Sequence, residues 1–364
     1  MSRSIEQKTV YLYLEALRVI SALAVIVVHV SGANWFRIEI GSADWVVQSF
    51  FNLGGRFSVC VFCMISGALL LRPREESRYR EILTRHVRRI LLCLLAWILI
   101  YAVIYTLMNH EDGRQFISRL FKLPTHLWYL QMLIGLYLAL PVLQYIARNR
   151  AVTRCLIWLL IVIGTVQLVS GVTGFFDTMS GESFAFTMWK SFLGNLVNLN
   201  YAFVPGYLGF FLLGHYIHEY GLGVWHRRAV HAAIPALLLS ALLTIWLSKL
   251  TGKYVYSFML ETNPLLALAS AGIYAFFRGE GDAPREEPAA TRLQRLTAWL
   301  GGNTFGVYLI HYAVWDILAQ RFHFDVASYP AIFSVPFNSL LIFGISLALT
   351  VLLKKIPGVR RILS

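Results

Sequence analysis

Long apolar runs separated by short polar segments are the feature that most constrains how this chain can fold. A run of about 20 apolar residues lets a helix cross roughly 30 Å of hydrocarbon. Because lipid offers the backbone no hydrogen-bond partner, such a crossing segment must be helical. The sequence therefore predicts an all-α, polytopic membrane protein, a single domain over residues 1–364 with about ten transmembrane helices. The runs lie at residues 11–30, 45–71, 87–108, 127–147, 155–173, 201–218, 229–248, 257–277, 297–319 and 331–353.

The composition agrees with a protein whose main solvent is lipid. Hydrophobic residues make up 57% of the chain and charged residues 14%, and the mean hydropathy is +0.61. In a soluble protein, 32 Lys and Arg against 19 Asp and Glu would suggest nucleic acid. Here the basic residues concentrate in alternate loops, as the positive-inside rule describes, so we expect both termini in the cytoplasm, contacts with membrane lipids and no nucleic-acid partner. The main basic segments are 72–89, 148–154 and 354–361.

Some connecting segments have a distinctive composition. Residues 279–295 are rich in Gly, Pro, Ala and Glu, which predicts a cytoplasmic linker within the domain. On the outer side, segments 109–125 and 174–200 are long enough to fold over the membrane, and the aromatic residues around Trp189 suit a lid at the interface. No small-residue cleavage site follows the first apolar run, so we expect a retained span there and not a signal peptide.

The first predicted span carries three ionisable residues, which are costly in lipid and therefore functional candidates. Glu15, Arg18 and His29 fall within about 60° of one another on one helix face. Arg18 lies toward the cytoplasmic end and His29 near the outer end, roughly 16 Å apart along the axis. This polar stripe is typical of a path across the membrane. Alternatively, Glu15 and Arg18 form a structural ion pair and His29 lies at the interface.

Further arginines are candidates for binding an anion. Arg56 lies within the second predicted span and needs a partner, either a carboxylate of another span or an anionic group of a ligand. Arg85, Arg88 and Arg89 lie at helical spacing at the cytoplasmic mouth of the third span. This cluster suits a nucleotide diphosphate. Positive-inside anchoring and contacts with lipid headgroups are the alternative explanations for it.

The remaining motifs argue against several chemistries. Cys60 and Cys63 form a Cys-x-x-Cys pair in an apolar stretch, but no second Cys or His pair completes a tetrahedral site, so no metal is expected. The chain has no Walker loop, no His-Glu-x-x-His helix and no Gly-x-Ser-x-Gly elbow, which argues against nucleotide hydrolysis and serine hydrolysis. The stretch from Asn303 to His311 opens the ninth span and brings a second histidine into the membrane.

Four motifs in order resemble the membrane-bound acyltransferase-3 family over nearly the whole chain. The matching stretches are Arg18 with His29 eleven positions later, 62–67 followed by Arg85-x-x-Arg88, 126–143, and Asn303 to His311. Ala68 replaces the commoner Tyr and Cys63 lies where Phe is frequent, but neither change removes a polar group. The context of Arg56 and the absence of a fused soluble domain most resemble the stand-alone enterobacterial common antigen O-acetyltransferases.

This resemblance implies an O-acetyltransferase of the bacterial cytoplasmic (inner) membrane. The donor would be cytoplasmic acetyl-CoA, and the acceptor a hydroxyl of a surface glycan or lipid-linked sugar on the outer side. His29 would be the general base, and Arg18 would contact the coenzyme A arm or stabilise charge at the thioester carbonyl. The expected donor-binding residues are Arg85, Arg88, Arg89 and Arg56. Acceptor binding or structural support is expected from His126, Trp128, Asn303, His311 and Glu15.

Several alternatives stay open at this stage. The resemblance does not separate direct transfer from an acetyl-histidine relay, or acetyl from a longer acyl group. The polar stripe would also suit a secondary transporter or exporter of a sugar or other small anion. A non-catalytic membrane scaffold is the third possibility, and it leaves the shared face of Arg18 and His29 without an explanation.

Overall fold

The computed structural model of the chain describes residues 9–71, 79–176, 206–261, 263–281, 284–322 and 329–356, together with 189, 324 and 359. Regular structure within these ranges is almost entirely helical, which confirms the predicted all-α class. In chain order the elements are β1 (Thr9–Val10), α1 (Leu12–Gly32), α2 (Ala43–Gly55), α3 (Phe57–Leu70), α4 (Tyr79–Glu81), a π-helix (Ile82–Val87), α5 (Arg88–Asn109), α6 (Gly113–Leu120), α7 (Trp128–Leu138), α8 (Leu140–Ala147), α9 (Arg150–Phe176), α10 (Tyr207–Tyr220), α11 (His226–Thr251), α12 (Pro264–Arg278), β2 (Glu287–Pro288), α13 (Arg292–Gly301), α14 (Thr304–Phe322) and α15 (Ala331–Leu353).

Several helices are long and apolar enough to cross a membrane, as a multi-pass protein requires. Among the described residues six segments meet this description, and a seventh results if the bent pair Gly113–Leu138 and Leu140–Ala147 is one span. Helices α10 and α12 have only 14 and 15 residues, so each rises about 20 Å, less than the hydrocarbon thickness. The count of about ten spans and the cytoplasmic location of the termini therefore stay predictions.

Two predicted spans contain a break. Helices α2 and α3 together form a candidate span, Ala43–Leu70, which is interrupted at Arg56. The run predicted at 127–147 bends by 64° between α7 and α8. Pro141 lies in the first turn of α8, where its missing N–H removes no bond from that helix but prevents α7 from continuing through it.

Glycines bring the central helices unusually close together. A Cβ on Gly67 of α3 would lie 1.8 Å from the carbonyl oxygen of Phe211 in α10, and a Cβ on Gly214 would lie 2.1 Å from that of Met64. A Cβ on Gly272 would likewise lie 2.2 Å from a backbone oxygen of α11. Small residues at such crossings give the van der Waals contact that holds helices together in lipid.

The third predicted span starts earlier than its apolar run. The π-helix Ile82–Val87 precedes α5 and continues directly into it. A π-helical turn accommodates an extra residue, so side chains after it are rotated relative to an uninterrupted α-helix. The helical spacing expected for Arg85, Arg88 and Arg89 is therefore not maintained across this segment.

The cytoplasmic linker predicted at 279–295 contains ordered elements. Thr9 pairs with Pro288 and Val10 with Glu287 in an antiparallel arrangement. Helix α13 begins at Arg292, inside the predicted linker, because Thr291 and Gln294 form a reciprocal capping box. Most of the lid predicted at 174–200 lies outside the described residues.

Candidate active site

One cavity of about 630 Å³ lies among helices α1, α3, α5, α7 and α14. Apolar side chains such as Val25, Phe62 and Leu133 form much of its wall. Its polar lining forms two groups, and their members on α1 are roughly 16 Å apart along the helix axis. The group that we call the basic end consists of Arg18, His86, Arg89 and Lys354. The group that we call the histidine end consists of His29 and His126.

At the basic end, Arg18 is supported by a buried carboxylate. Arg18 forms an ion pair with Glu15, one turn earlier on α1. Gly301 packs on Glu15 so closely that a Cβ would lie 2.1 Å from its Oε2 atom. The side chain of Arg18 keeps 28% of its surface exposed and lines the cavity, whereas Glu15 does not line it. Glu15 therefore holds Arg18 in place without taking up cavity space.

Lys354 contributes a cation to this end from the C-terminus of α15. Its Nζ atom donates hydrogen bonds to the carbonyl of Gly302 at 2.8 Å and to Oδ1 of Asn303 at 2.9 Å. Asn303 in turn donates from Nδ2 to the carbonyl of Trp299 at 2.7 Å, which fixes its amide. These bonds hold the turn between α13 and α14 at the cavity. From the sequence, Lys354 is only one of the basic residues that predict the orientation of the chain in the membrane.

Arg89 of α5 and His86 of the π-helix lie at the same end. The ring of Tyr137 in α7 lies 5.9 Å from that of His86, measured between centroids. The hydroxyl of Tyr137 also interacts electrostatically with both Arg89 and Arg18. The two guanidinium groups therefore converge on one region, although they come from different helices.

The other two arginines of the predicted cluster do not line the cavity. Arg85 is 75% exposed, and its Nη1 atom pairs with Glu81 at 3.2 Å. Arg88 and Arg89 are exposed as well. Lining of the cavity is therefore what distinguishes Arg89 from Arg85 and Arg88.

At the histidine end, three imidazole rings pack together. The ring centroid of His311 in α14 lies 5.3 Å from that of His29 and 5.3 Å from that of His126. His126 also stacks on Tyr312, with centroids 5.1 Å apart and an angle of 9° between planes. His126 and His311 are buried, whereas His29 is partly exposed to the cavity. The sequence placed these histidines on separate spans and gave no sign that they meet.

Tyrosines hold this cluster rigidly. The hydroxyl of Tyr101 in α5 donates to the carbonyl of Leu309 at 2.9 Å and accepts from the backbone N–H of Ala313 at 3.1 Å. The hydroxyl of Tyr308 donates to the carbonyl of His126. Helices α5, α7 and α14 are therefore fixed to one another beside the cavity, and the rings have little freedom to move apart.

Arg56 occupies a separate position near the histidine end. Its Nε atom donates to Oδ1 of Asn52 at 3.0 Å, and it is close enough to Glu261 for their charges to attract. Its charge also reaches His29, but Arg56 does not line the cavity. The sequence left two partners open for Arg56, a carboxylate of another span or an anionic group of a ligand, and both stay predictions.

Trp128 lines the cavity close to His126 and contacts a second aromatic residue. Its ring lies 5.2 Å from that of Tyr207 in α10, the two planes being tilted by 39°. Such a pair offers an aromatic surface of the kind that sugars stack on. Trp189 is about half exposed, and residues 174–176 of the predicted lid end α9, but the other residues of this lid lie outside the described ones. In the part of the chain that the structure describes, no group of three His, Cys, Asp or Glu side chains is arranged so that it could hold a metal ion.

The comparisons with known proteins give a family and no individual relative. The family described as an acyltransferase domain, acyltransferase-3, matches residues 11–354. No curated protein and no solved structure matches the chain. The matched range begins just before α1 and ends at Lys354, so it includes every residue of the basic end and of the histidine end. Since the match extends over nearly the whole sequence, the chain belongs to the acyltransferase-3 family of membrane acyltransferases.

Proposed function

We propose that this protein transfers an acetyl group from acetyl-CoA to a hydroxyl of a surface glycan or lipid-linked sugar at the bacterial inner membrane. The observation that carries the proposal is the single cavity with cations at one end and histidines at the other. The donor also has two distinct ends, because an extended pantetheine arm separates its phosphates from its thioester. That arm is comparable in length to the roughly 16 Å rise from Arg18 to His29.

The basic end suits the phosphates of the donor. Charge-assisted bonds from guanidinium and ammonium groups are the strong interactions that phosphates make in proteins. Arg18, Arg89 and Lys354 line the cavity from three different helices, so they can surround an anion instead of contacting one side of it. Arg85 and Arg88 would act outside the cavity, where exposed charges attract the polyanionic donor without binding it firmly.

His29 suits the role of general base. In the proposed step the acceptor hydroxyl gives its proton to His29, and its oxygen forms a bond to the acetyl carbonyl carbon. The carbon–sulfur bond then breaks, and the coenzyme A thiolate takes the proton from His29. Such assistance is typically worth about 10²- to 10⁴-fold in rate. Arg18 lines the cavity and acts along the donor arm, whereas Arg56 acts on His29 through its charge from outside the cavity.

The acceptor would enter from the side of Trp128. The ring of Trp128 lines the cavity near His126, and the ring of Tyr207 lies beside it. An aromatic surface beside the base lets a sugar stack while one hydroxyl points at the imidazole. This arrangement favours a bulky hydroxylated acceptor over water.

Inverted inner-membrane vesicles test the proposal, because they expose the cytoplasmic face to added acetyl-CoA and contain their own acceptor. We expect radiolabelled acetyl to enter the glycan or lipid-linked sugar fraction, and a His29→Ala variant to lose at least about 100-fold of this rate. Calorimetry on the purified protein should show coenzyme A binding in both forms. A folded protein that neither binds coenzyme A nor transfers acetyl would contradict the proposal and favour the transporter.

A further inference from the structure

The general base needs a neighbouring group that fixes which of its ring nitrogens carries the proton. A neutral imidazole donates from one nitrogen and accepts at the other, and a hydrogen bond to the first decides which one faces the substrate. Among the described residues no hydrogen bond to the ring of His29 is present, and neither a carboxylate nor a backbone carbonyl accepts from it. Two side chains of α14 contact this ring: Tyr312 lies edge-on at 5.4 Å between centroids, and His311 lies at 5.3 Å and brings a ring nitrogen.

The surroundings of His311 define its tautomer. Its Nδ1 atom lies 2.6 Å from the carbonyl oxygen of Tyr308, and a carbonyl can only accept, so Nδ1 carries the proton. In the neutral ring Nε2 is then a bare acceptor. That atom is fully buried, and the described part of the chain provides no hydrogen-bond donor for it. A buried acceptor without a donor costs about 1–3 kcal/mol, so a nearby N–H has a reason to turn toward it.

The distance between the rings is the distance that such a bond requires. Two imidazoles joined by an N–H···N bond of about 2.9 Å have centroids roughly 5 Å apart. The centroids of His29 and His311 are 5.3 Å apart with the planes tilted by 37°, and His126 lies at the same distance from His311 with its plane at 77°. The His29 ring is partly exposed and His311 is held by its bond to Tyr308, so His29 is the ring that would turn to direct an N–H at Nε2 of His311.

We propose that His311 is the positioning residue of the general base, which it holds by accepting an N–H of His29 at Nε2. The other nitrogen of His29 then presents its lone pair to the cavity, where it can take the proton of the acceptor hydroxyl. When His29 becomes an imidazolium, the bond to His311 becomes charge-assisted and therefore stronger. The proposal rests on the proposed function, because it assumes that His29 is the base.

Position 311 can be varied to separate this role from a packing role. His311→Leu places an apolar side chain of moderate size at this position and removes the acceptor. His311→Gln can supply a carbonyl oxygen close to where Nε2 lies. In the vesicle assay we expect His311→Leu to lower the maximal rate about 10- to 100-fold, the usual cost of losing a partner that orients a functional histidine. The KM for acetyl-CoA and the binding of coenzyme A should not change. His311→Gln should recover most of the lost rate.

A matched control is His215→Leu, which removes another buried histidine from a position that does not line the cavity. It should leave the rate unchanged. If His311→Leu retains the full rate while His29→Ala is inactive, the positioning role is wrong and the acetyltransferase proposal survives. A folded His311→Gln variant that binds coenzyme A but is as slow as His311→Leu also contradicts the role. An unmodified protein that neither transfers acetyl nor binds coenzyme A would instead overturn the proposed function.

A spectroscopic measurement covers the case in which His311→Leu does not fold. Nitrogen NMR of the unmodified protein, labelled at histidine and assigned with His311→Gln, reports which imidazole nitrogen is protonated. We expect an unprotonated Nε2 at His311 and a proton on the His29 nitrogen that faces it. A proton on Nε2 of His311 would overturn the proposal, because that nitrogen could then not accept.

Discussion

Single cationic side chains decide how the donor binds in this account. Changing Arg89 and Lys354 together to Ala should weaken coenzyme A binding by at least about 10- to 100-fold, since charged hydrogen bonds each contribute about 1.5–3 kcal/mol. The double change of Arg85 and Arg88 to Ala is the matched control, because it removes the same formal charge from outside the cavity. Calorimetry at fixed ionic strength measures both. A larger loss from the Arg85 and Arg88 change would contradict the assignment.

Gly301 is the residue at which a single methyl group should disturb the basic end. A Cβ there would lie 2.1 Å from Oε2 of Glu15, so Gly301→Ala must displace the carboxylate that holds Arg18. We expect weaker coenzyme A binding with the protein still folded. Gly135→Ala is the control, because nothing lies within 4 Å of its added methyl group. Unchanged binding in Gly301→Ala would show that Glu15 does not position Arg18.

The residues on one helix face were predictable from the sequence, whereas their partners were not. Helical periodicity alone put Glu15, Arg18 and His29 on one side of α1, and the structure shows an ion pair and cavity lining on that side. Lys354 contacts Gly302 across 52 positions, and His311 meets His29 from another helix. Contacts of this kind depend on how helices pack, and no local pattern records them.

At the scale of helices, glycine contacts between α3 and α10 determine how closely these elements approach. Gly214→Val should lower the midpoint of thermal unfolding, because its side chain would overlap the backbone of Met64 and overpacking commonly costs about 1–3 kcal/mol. Gly135→Val, with open space around it, should change stability far less. Thermal unfolding in detergent measures both. Equal midpoints for the two variants would show that the helices are not in close contact.

The class and the approximate positions of the helices were predictable, whereas their interruptions were not. Apolar runs long enough to cross lipid identify α1, α5 and α11 directly. The π-helix Ile82–Val87 is invisible to a periodicity argument that assumes 3.6 residues per turn. The π-helix contains Arg85 and ends before Arg88, so it changes the angle between Arg85 and the consecutive pair Arg88 and Arg89 relative to a continuous α-helix.

In the whole molecule, the cavity combines residues from both ends of the chain. Arg18 and His29 come from the first helix, and Lys354 follows the last one. A site built this way exists only when the helices are assembled, and the family match over residues 11–354 includes all of these residues.

The most direct test of the proposed function is an experimental structure of the purified protein with coenzyme A bound. We expect the phosphates to lie between Arg89, Lys354 and Arg18, and the sulfur atom to lie within reach of His29. Coenzyme A bound on the surface at Arg85 and Arg88, with its sulfur remote from His29 and the cavity empty, would contradict it.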